Sequence, residues 1–255
     1  MSRLDPRLLL QCYAAGIFPM ADSREAAELF WVEPRNRAII PPGEFHMSRS
    51  LRRALRSGRF HVTHDRDFAG VIAACADREE TWINDDIERA MLALHASGHA
   101  HSIEVWRRGD PAQELVGGLY GVRLGRAFFG ESMFSTVTDA SKVALAWLVA
   151  RLKVGGFTLL DCQFMTDHLA SLGAVSVPRA GYVALLSGAL GGGSAGAGAV
   201  SFPGTGAGPA AGESARPADA APDFLAIDRL LDATGAAGAP GPAGYVIAQL
   251  LGQTS

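Results

Sequence analysis

The stretch from Ala127 to Gln163, AFFGESMFSTVTDASKVALAWLVARLKVGGFTLLDCQ, decides the reading of the fold. Ala127 to Phe134 is aromatic and apolar and predicts a strand. Thr138 and Asp139 can cap a helix from Ala140 to Val154, with Val143, Ala144, Trp147, Leu148 and Leu152 as its apolar side. Gly155 and Gly156 end it. Phe157 to Asp161 then predicts a buried strand. It delivers Asp161 and Gln163 at its C-terminal end, where ligands often sit in open α/β sheets.

Working outward, His101 to Arg107 and Glu114 to Val122 predict two more strands, with a turn at Leu124 and Gly125. Before them come helices at Pro6–Ala15, Ser48–Ser57, Phe68–Ala76 and Asp86–Ser97, and a short strand at Phe60–Thr63. Helices, antiparallel strands, a helix and a further strand make an α+β fold. From Gly188 to Pro222, 28 of 35 residues are Gly, Ala, Pro or Ser, which predicts a flexible linker. Two amphipathic pieces follow, Asp223–Asp232 and Tyr245–Leu251. They can dock on the body, dock on a partner, or be merely helical in passing.

The chain has 255 residues, of which 48% are hydrophobic and 19% charged, enough to bury a core. No apolar run reaches the ~20 residues of a membrane-spanning helix. The first residues do not read as a signal peptide, since Leu8-Leu9-Leu10 is too short and Asp5 is badly placed. Cys12, Cys75 and Cys162 are odd in number and far apart, which suits a reducing cytoplasm better than a disulfide framework.

Net charge is −3, so global charge announces no nucleic acid. Locally, residues 33–66 hold eight arginines against three acids. Arg49, Arg52, Arg53 and Arg56 are either a solvated helix face or a surface for phosphates. Trp31, Trp82 and Trp106 are core residues or stacking platforms for a base.

Three constellations bear on chemistry. His95-x3-His99-x-His101 suggests a metal, but Gly98 breaks the helix that would align them, so no metal is expected. No P-loop or Gly-x-Ser-x-Gly string occurs. Glu131 and Asp161 each sit beside apolar runs, and an unpaired buried acid is costly. Either backbone amides or an arginine satisfy them, or Glu131, Asp161 and Gln163 converge on one polar spot in an apolar site that favours a cationic substrate.

These residues fall within a longer pattern. It comprises Gly16-Ile17-Phe18-Pro19-Met20, Trp31-x2-Pro34, Phe45-His46-Met47-Ser48-Arg49-Ser50 and Thr81-Trp82-Ile83. It continues with Gly98 to Trp106, Leu115 to Gly121, Phe129 to Ser135, Ala140-Ser141-Lys142 and Leu160-Asp161-Cys162-Gln163. Together, from about residue 8 to about 187, they resemble the leucyl/phenylalanyl-tRNA protein transferase family.

The resemblance implies a cytoplasmic enzyme that moves Leu or Phe, or Met, from aminoacyl-tRNA to a protein's N-terminal Arg or Lys, marking it for degradation. It implies no cofactor, and a monomer is the default. The implied organisation is a small N-terminal domain at 1–40, an acetyltransferase-like mixed sheet with flanking helices at 41–187, and a low-complexity tail at 188–255. Trp31 and Trp82 match positions beside the terminal adenosine. Leu119, Phe128, Met133, Leu145, Leu148 and Leu160 match the side-chain pocket, and Glu131, Asp161 and Gln163 match the reaction centre. Asp161 is then expected to hold the acceptor's N-terminus, Gln163 to orient it, and Glu131 to position the donor's amino group or a water. The tRNA phosphates fall to Arg49, Arg52, Arg53 and Arg56. Two alternatives are an acetyl-CoA-dependent N-acetyltransferase and a non-catalytic RNA-binding module. The first lacks its Arg/Gln-x-x-Gly-x-Gly/Ala loop here.

Overall fold

The computed structural model describes residues 4–109, 114–191, 220–236 and 242–252. Helix α1 (Pro6–Ala14) is capped by Asp5, which accepts from the Arg7 amide, with Pro6 at its first position. The chain leaves it at Gly16 (φ +78°), where a Cβ would lie 2.9 Å from the Tyr182 ring, so only glycine fits. A short ribbon pairs β1 (Phe18–Met20) with β2 (Phe30–Val32), and β3 (Asn36–Ile40) follows. Then come α2 (Arg49–Arg56), β4 (Phe60–His64), α3 (Phe68–Ala76) and α4 (Asp85–Ala96). Ser48, Asp67 and Asn84 cap the three helices.

The central run is β5 (Ala100–Arg107), β6 (Leu115–Leu124), β7 (Ala127–Ser135), α5 (Ala140–Val154) and β8 (Leu159–Gln163). After it come α6 (Asp167–Ala170), β9 (Val175–Pro178), α7 (Arg179–Ala189), α8 (Ala226–Ala233) and α9 (Pro242–Gly252). The expected α+β class and mixed sheet are present. One sheet runs in the order β4-β5-β6-β7-β8-β3-β9. Neighbours are antiparallel except β7 and β8, which are parallel and joined through α5. Residues 36–40, at the end of the segment read as an N-terminal domain, form a strand inside this sheet.

Strand alternation splits the apolar residues between two faces. Leu119, Phe128, Leu160 and Ile40 join the core under α5 and α2, whereas Tyr120, Phe129, Leu159 and Ile39 join the core under α1, α3, α4 and α7. Helix α5 is buried almost all round, including Leu145, Ala146, Val149 and Ala150 outside the expected apolar side. The reason is that α8 and α9 cover its outer face. Thr138 and Asp139 do not form the expected cap. Asp139 has φ +73° and makes no capping bond, and its carboxylate lies 3.4 Å from Arg59 instead.

The two amphipathic tail pieces dock on the body. Phe224 is buried and stacks on His101 at 4.1 Å and Phe128 at 5.8 Å. Arg151, 2% exposed, donates to Phe224 O at 2.7 Å and to both Asp228 oxygens at 2.6 and 2.8 Å. Most of the expected Gly/Ala/Pro linker (192–219) lies outside the described residues, as do residues 110–113 between β5 and β6. Phe224→Ala should lower the unfolding free energy in denaturant by about 3–5 kcal/mol. An unchanged midpoint would mean that the tail does not dock.

Candidate active site

Strands β7 and β8 pair only over three residues, ending at Phe129 opposite Asp161. Beyond that register Glu131 and Gln163 stand two residues further along their strands, where the sheet is no longer closed by that pairing. Their side chains bridge the split, Gln163 Nε2 donating to Glu131 Oε1 at 2.9 Å. A cavity of about 280 Å³ opens beside them. Leu119, Met133, Leu145, Leu148 and Leu160 make its apolar wall, and Arg78, Trp82 and His168 line it as well.

Gln163 has φ +62°, a left-handed conformation that a residue with a Cβ adopts at a cost. The geometry around it explains how that is held. Asp161 Oδ1 accepts the Gln163 backbone amide at 2.8 Å. Asp161 Oδ2 accepts from Arg37 Nη2 at 2.5 Å and from the Tyr182 hydroxyl at 2.7 Å. Arg37, 1% exposed, lies between the Phe18 and Tyr182 rings, 4.7 Å from each centroid. Burial works against its charge, but Asp161 and Tyr182 beside it more than offset this and raise its pKa. Burial, then the Asp161 charge, pushes the Tyr182 hydroxyl up, so it stays a proton donor.

Glu131 is the other singular group. Burial raises its pKa to about 7, and Asp161 adds to the rise, while Tyr13, Gln163 and Arg37 pull it down. Its second oxygen, Oε2, is buried, and the Tyr13 hydroxyl is the hydrogen-bonding group that lowers the Glu131 pKa from helix α1. Cys162 lines the same cavity, but burial and then Asp161 push its thiol up, so it supplies no thiolate near neutrality.

The residues expected from the sequence thus fall into four groups. Glu131, Gln163, Leu119, Met133, Leu145, Leu148, Leu160 and Trp82 share the cavity. Asp161 touches Gln163 but is fully buried, with both oxygens engaged, and Phe128 packs on Phe224. Trp31 is 41% exposed on the β1–β2 ribbon; the neighbouring segment donates Ala21 N to Trp82 O at 3.1 Å. Arg49, Arg52, Arg53 and Arg56 surround one shallow hollow with Ser57.

Arg37, Tyr182 and Arg78 were not among the expected site residues. The one available signal was Arg37 followed directly by the apolar run Ala38-Ile39-Ile40, which marks it as a strand residue with a buried charge. The histidine trio makes other contacts. His95 stacks on Phe68 at 4.3 Å, and His101 Nδ1 faces Asp65 at 2.6 Å. Among the described residues no group of three His, Cys, Asp or Glu is placed to hold a metal. No described helix is long and apolar enough to cross a membrane.

Comparison with known proteins fits this geometry into a family. Leucyl/phenylalanyl-tRNA protein transferase matches residues 39–187, and the N-terminal domain of the same family matches residues 2–35. The chain belongs to the leucyl/phenylalanyl-tRNA protein transferase family. A relative of that name from Rhizorhabdus wittichii is 56% identical over 263 residues, covering 100% of both chains. Another from Zymomonas mobilis is 61% identical, over 73% of this chain and 70% of its own. One from Cereibacter sphaeroides is 62% identical, over 74% and 86%. The solved structure of FemX matches with a TM-score of 0.48 at 12% identity, over 67% of this chain and 66% of that one.

The raised pKa of Glu131 gives a stability prediction. A carboxyl whose folded pKa lies above its unfolded value contributes stability at low pH that is lost as pH rises through the folded pKa. With a shift from 4.5 to about 7, the window runs between those two values. From pH 5 to pH 8 wild type should lose about 2–3 kcal/mol more unfolding free energy than Glu131→Gln. Equal losses in denaturant titrations of the two would remove Glu131 from a buried, weakly ionised setting.

Proposed function

We propose that this protein transfers Leu or Phe, and Met less strictly, from aminoacyl-tRNA to the N-terminal Arg or Lys of an acceptor protein, marking it for degradation. Family membership supports tRNA and protein as its two substrates. The observation that carries the residue assignment is the hydrogen bond between Gln163 and Glu131 in the wall of an apolar cavity.

The aminoacyl ester is already activated, so the transfer needs no ATP. The acceptor's amine nitrogen attacks the ester carbonyl carbon, the bond to the ribose oxygen breaks, and a proton passes from the amine to that oxygen. With a pKa of about 7, Glu131 is suited to take that proton and to give it up near neutrality. Gln163 orients the attacking amine, and holding both reactants in line supplies much of the rate. Asp161 has both oxygens engaged, so we give it a positioning role through Gln163 rather than contact with the acceptor. Leu119, Met133, Leu145, Leu148 and Leu160 take the donor side chain, with Phe128 behind them. A wall of this kind separates near-isosteres weakly, one methylene being worth about 1–3 kcal/mol.

Trp82 borders the terminal adenosine, with Trp31 further out on the ribbon. Arg49, Arg52, Arg53 and Arg56 take acceptor-stem phosphates. Among the described residues none of the four makes an ion pair, which leaves their charge available. Such chemistry belongs to the cytoplasm, and the protein acts as a monomer. The acetyl-CoA and non-catalytic alternatives are not favoured, because the family match is to a tRNA-dependent transferase.

The test is transfer of labelled Leu or Phe from tRNA to peptides starting with Arg, Lys or Glu. Arg and Lys should accept, and Glu should be slower by at least about a hundredfold, the cost of placing like charges together. Glu as the best acceptor would contradict the reading.

A further inference from the structure

The family match ends at residue 187, and the Zymomonas and Cereibacter relatives align over 73% and 74% of this chain. The two C-terminal helices lie beyond that point. They nevertheless touch two elements that matter for the reaction: α5, whose Leu145 and Leu148 wall the cavity, and α2, which carries the four arginines.

The contact with α2 is intimate. A Cβ built at Gly244 would lie 2.0 Å from Leu55 O, so α9 approaches the α2 backbone more closely than any side chain allows. The Arg56 guanidinium stacks over the Tyr245 ring at 5.1 Å. At the other end of α9, a Cβ at Gly252 would meet Arg52 Nη2 at 3.3 Å, so the Arg52 head rests on the helix terminus. Lys153 on α5 donates to Leu250 O at 3.0 Å, tying the same end of α9 to the cavity helix. Cations at a helix C-terminus are favoured by its exposed carbonyls. Ile247, Ala248 and Leu251 bury the rest of α9 in the core shared with Leu51, Ala54 and Leu55 of α2.

Arginines 49, 52, 53 and 56, with Ser57, line one hollow of about 360 Å³ that has no acid in its wall. Arg52 Nε is buried with no partner among the described residues. Two of the four guanidinium groups are thus fixed from the outer side by α9 while their charge faces the hollow. Long side chains left free lose rotamer entropy on binding, and bracing them beforehand removes that loss.

We propose that α9, held on α5 by Lys153 and by its buried apolar face, is a brace that positions the α2 arginines for the phosphates of the tRNA acceptor stem. Its residues, above all Gly244 and Tyr245, are positioning residues. The proposal rests on the reading that this hollow takes phosphates, and the experiment separates the two.

Affinity for Phe-tRNA is measured across a salt series for the full chain, with turnover at saturating tRNA and melting temperature alongside. Gly244→Val wedges α9 away from α2. Its dissociation constant should rise about five- to tenfold, and its salt slope should fall by about 1 to 2, the loss of one or two phosphate contacts. Turnover at saturation should stay within about twofold, because the cavity is untouched. Tyr245→Ala, at an exposed position, should weaken binding about two- to fivefold, the worth of an exposed cation–π contact. It decides the matter if Gly244→Val does not fold. The joint change Arg52→Gln, Arg53→Gln and Arg56→Gln should lower affinity and slope further. Wild-type affinity and slope in the α9 variants, with a loss in the arginine triple, would overturn the brace and leave the phosphate reading standing. No change in the arginine triple would overturn both.

Discussion

A buried guanidinium and a buried carboxylate, Arg37 and Asp161, govern the geometry of the split between β7 and β8. A buried ion pair of this kind is poor evidence for stability, since desolvation offsets much of its attraction. Its value is in direction. With Tyr182 it fixes the Asp161 carboxylate, which accepts the Gln163 amide and holds that residue at positive φ. Gln163 in turn reaches Glu131 across the split. Phe18 on the N-terminal ribbon closes the arginine's other face, so the small N-terminal segment takes part in setting the site.

Helix α5 divides the molecule's labour by its faces. Leu145 and Leu148 look into the cavity, while Trp147 and Arg151 lie on the side of α8 and α9. A helix in that position is buried on almost every side, and apart from Ser141, Lys142, Arg151 and Lys153 its residues are apolar. The C-terminal helices therefore cover the side of α5 that carries Trp147 and Arg151, not the side that walls the cavity.

Much of this was legible in the residues. The strands at 101–134, the helix at 140–154 and the glycine stops follow from period and turn chemistry, and the structure has them within two residues. Strand β8 starts two residues later than expected, because Thr158 serves a turn contact to Arg126 O. The short elements β1, β2, β3 and β9 were not legible, since three to five residues carry no measurable period. At the site, Glu131 and Asp161 stood out as acids beside apolar runs, whereas the residues of the apolar wall came only from the resemblance to the family. Arg37 and Tyr182 did not, because their partner lies 124 and 21 positions away and only the closed sheet brings them to Asp161. The same long-range closure is why Asp161 and Gln163, two residues apart, have different surroundings.

The most direct test of the account replaces the whole ion pair, as Arg37→Met with Asp161→Leu. Removing both charges avoids leaving one buried and unpaired, so the fold should survive, with a melting temperature lowered by the loss of an acceptor for the Gln163 amide and the Tyr182 hydroxyl. Single-turnover transfer of Phe from tRNA to a peptide beginning with Arg is then measured. The account predicts a rate about a hundredfold or more below wild type, because Gln163 loses the anchor that aims it. A folded double variant that transfers Phe at the wild-type rate would contradict it.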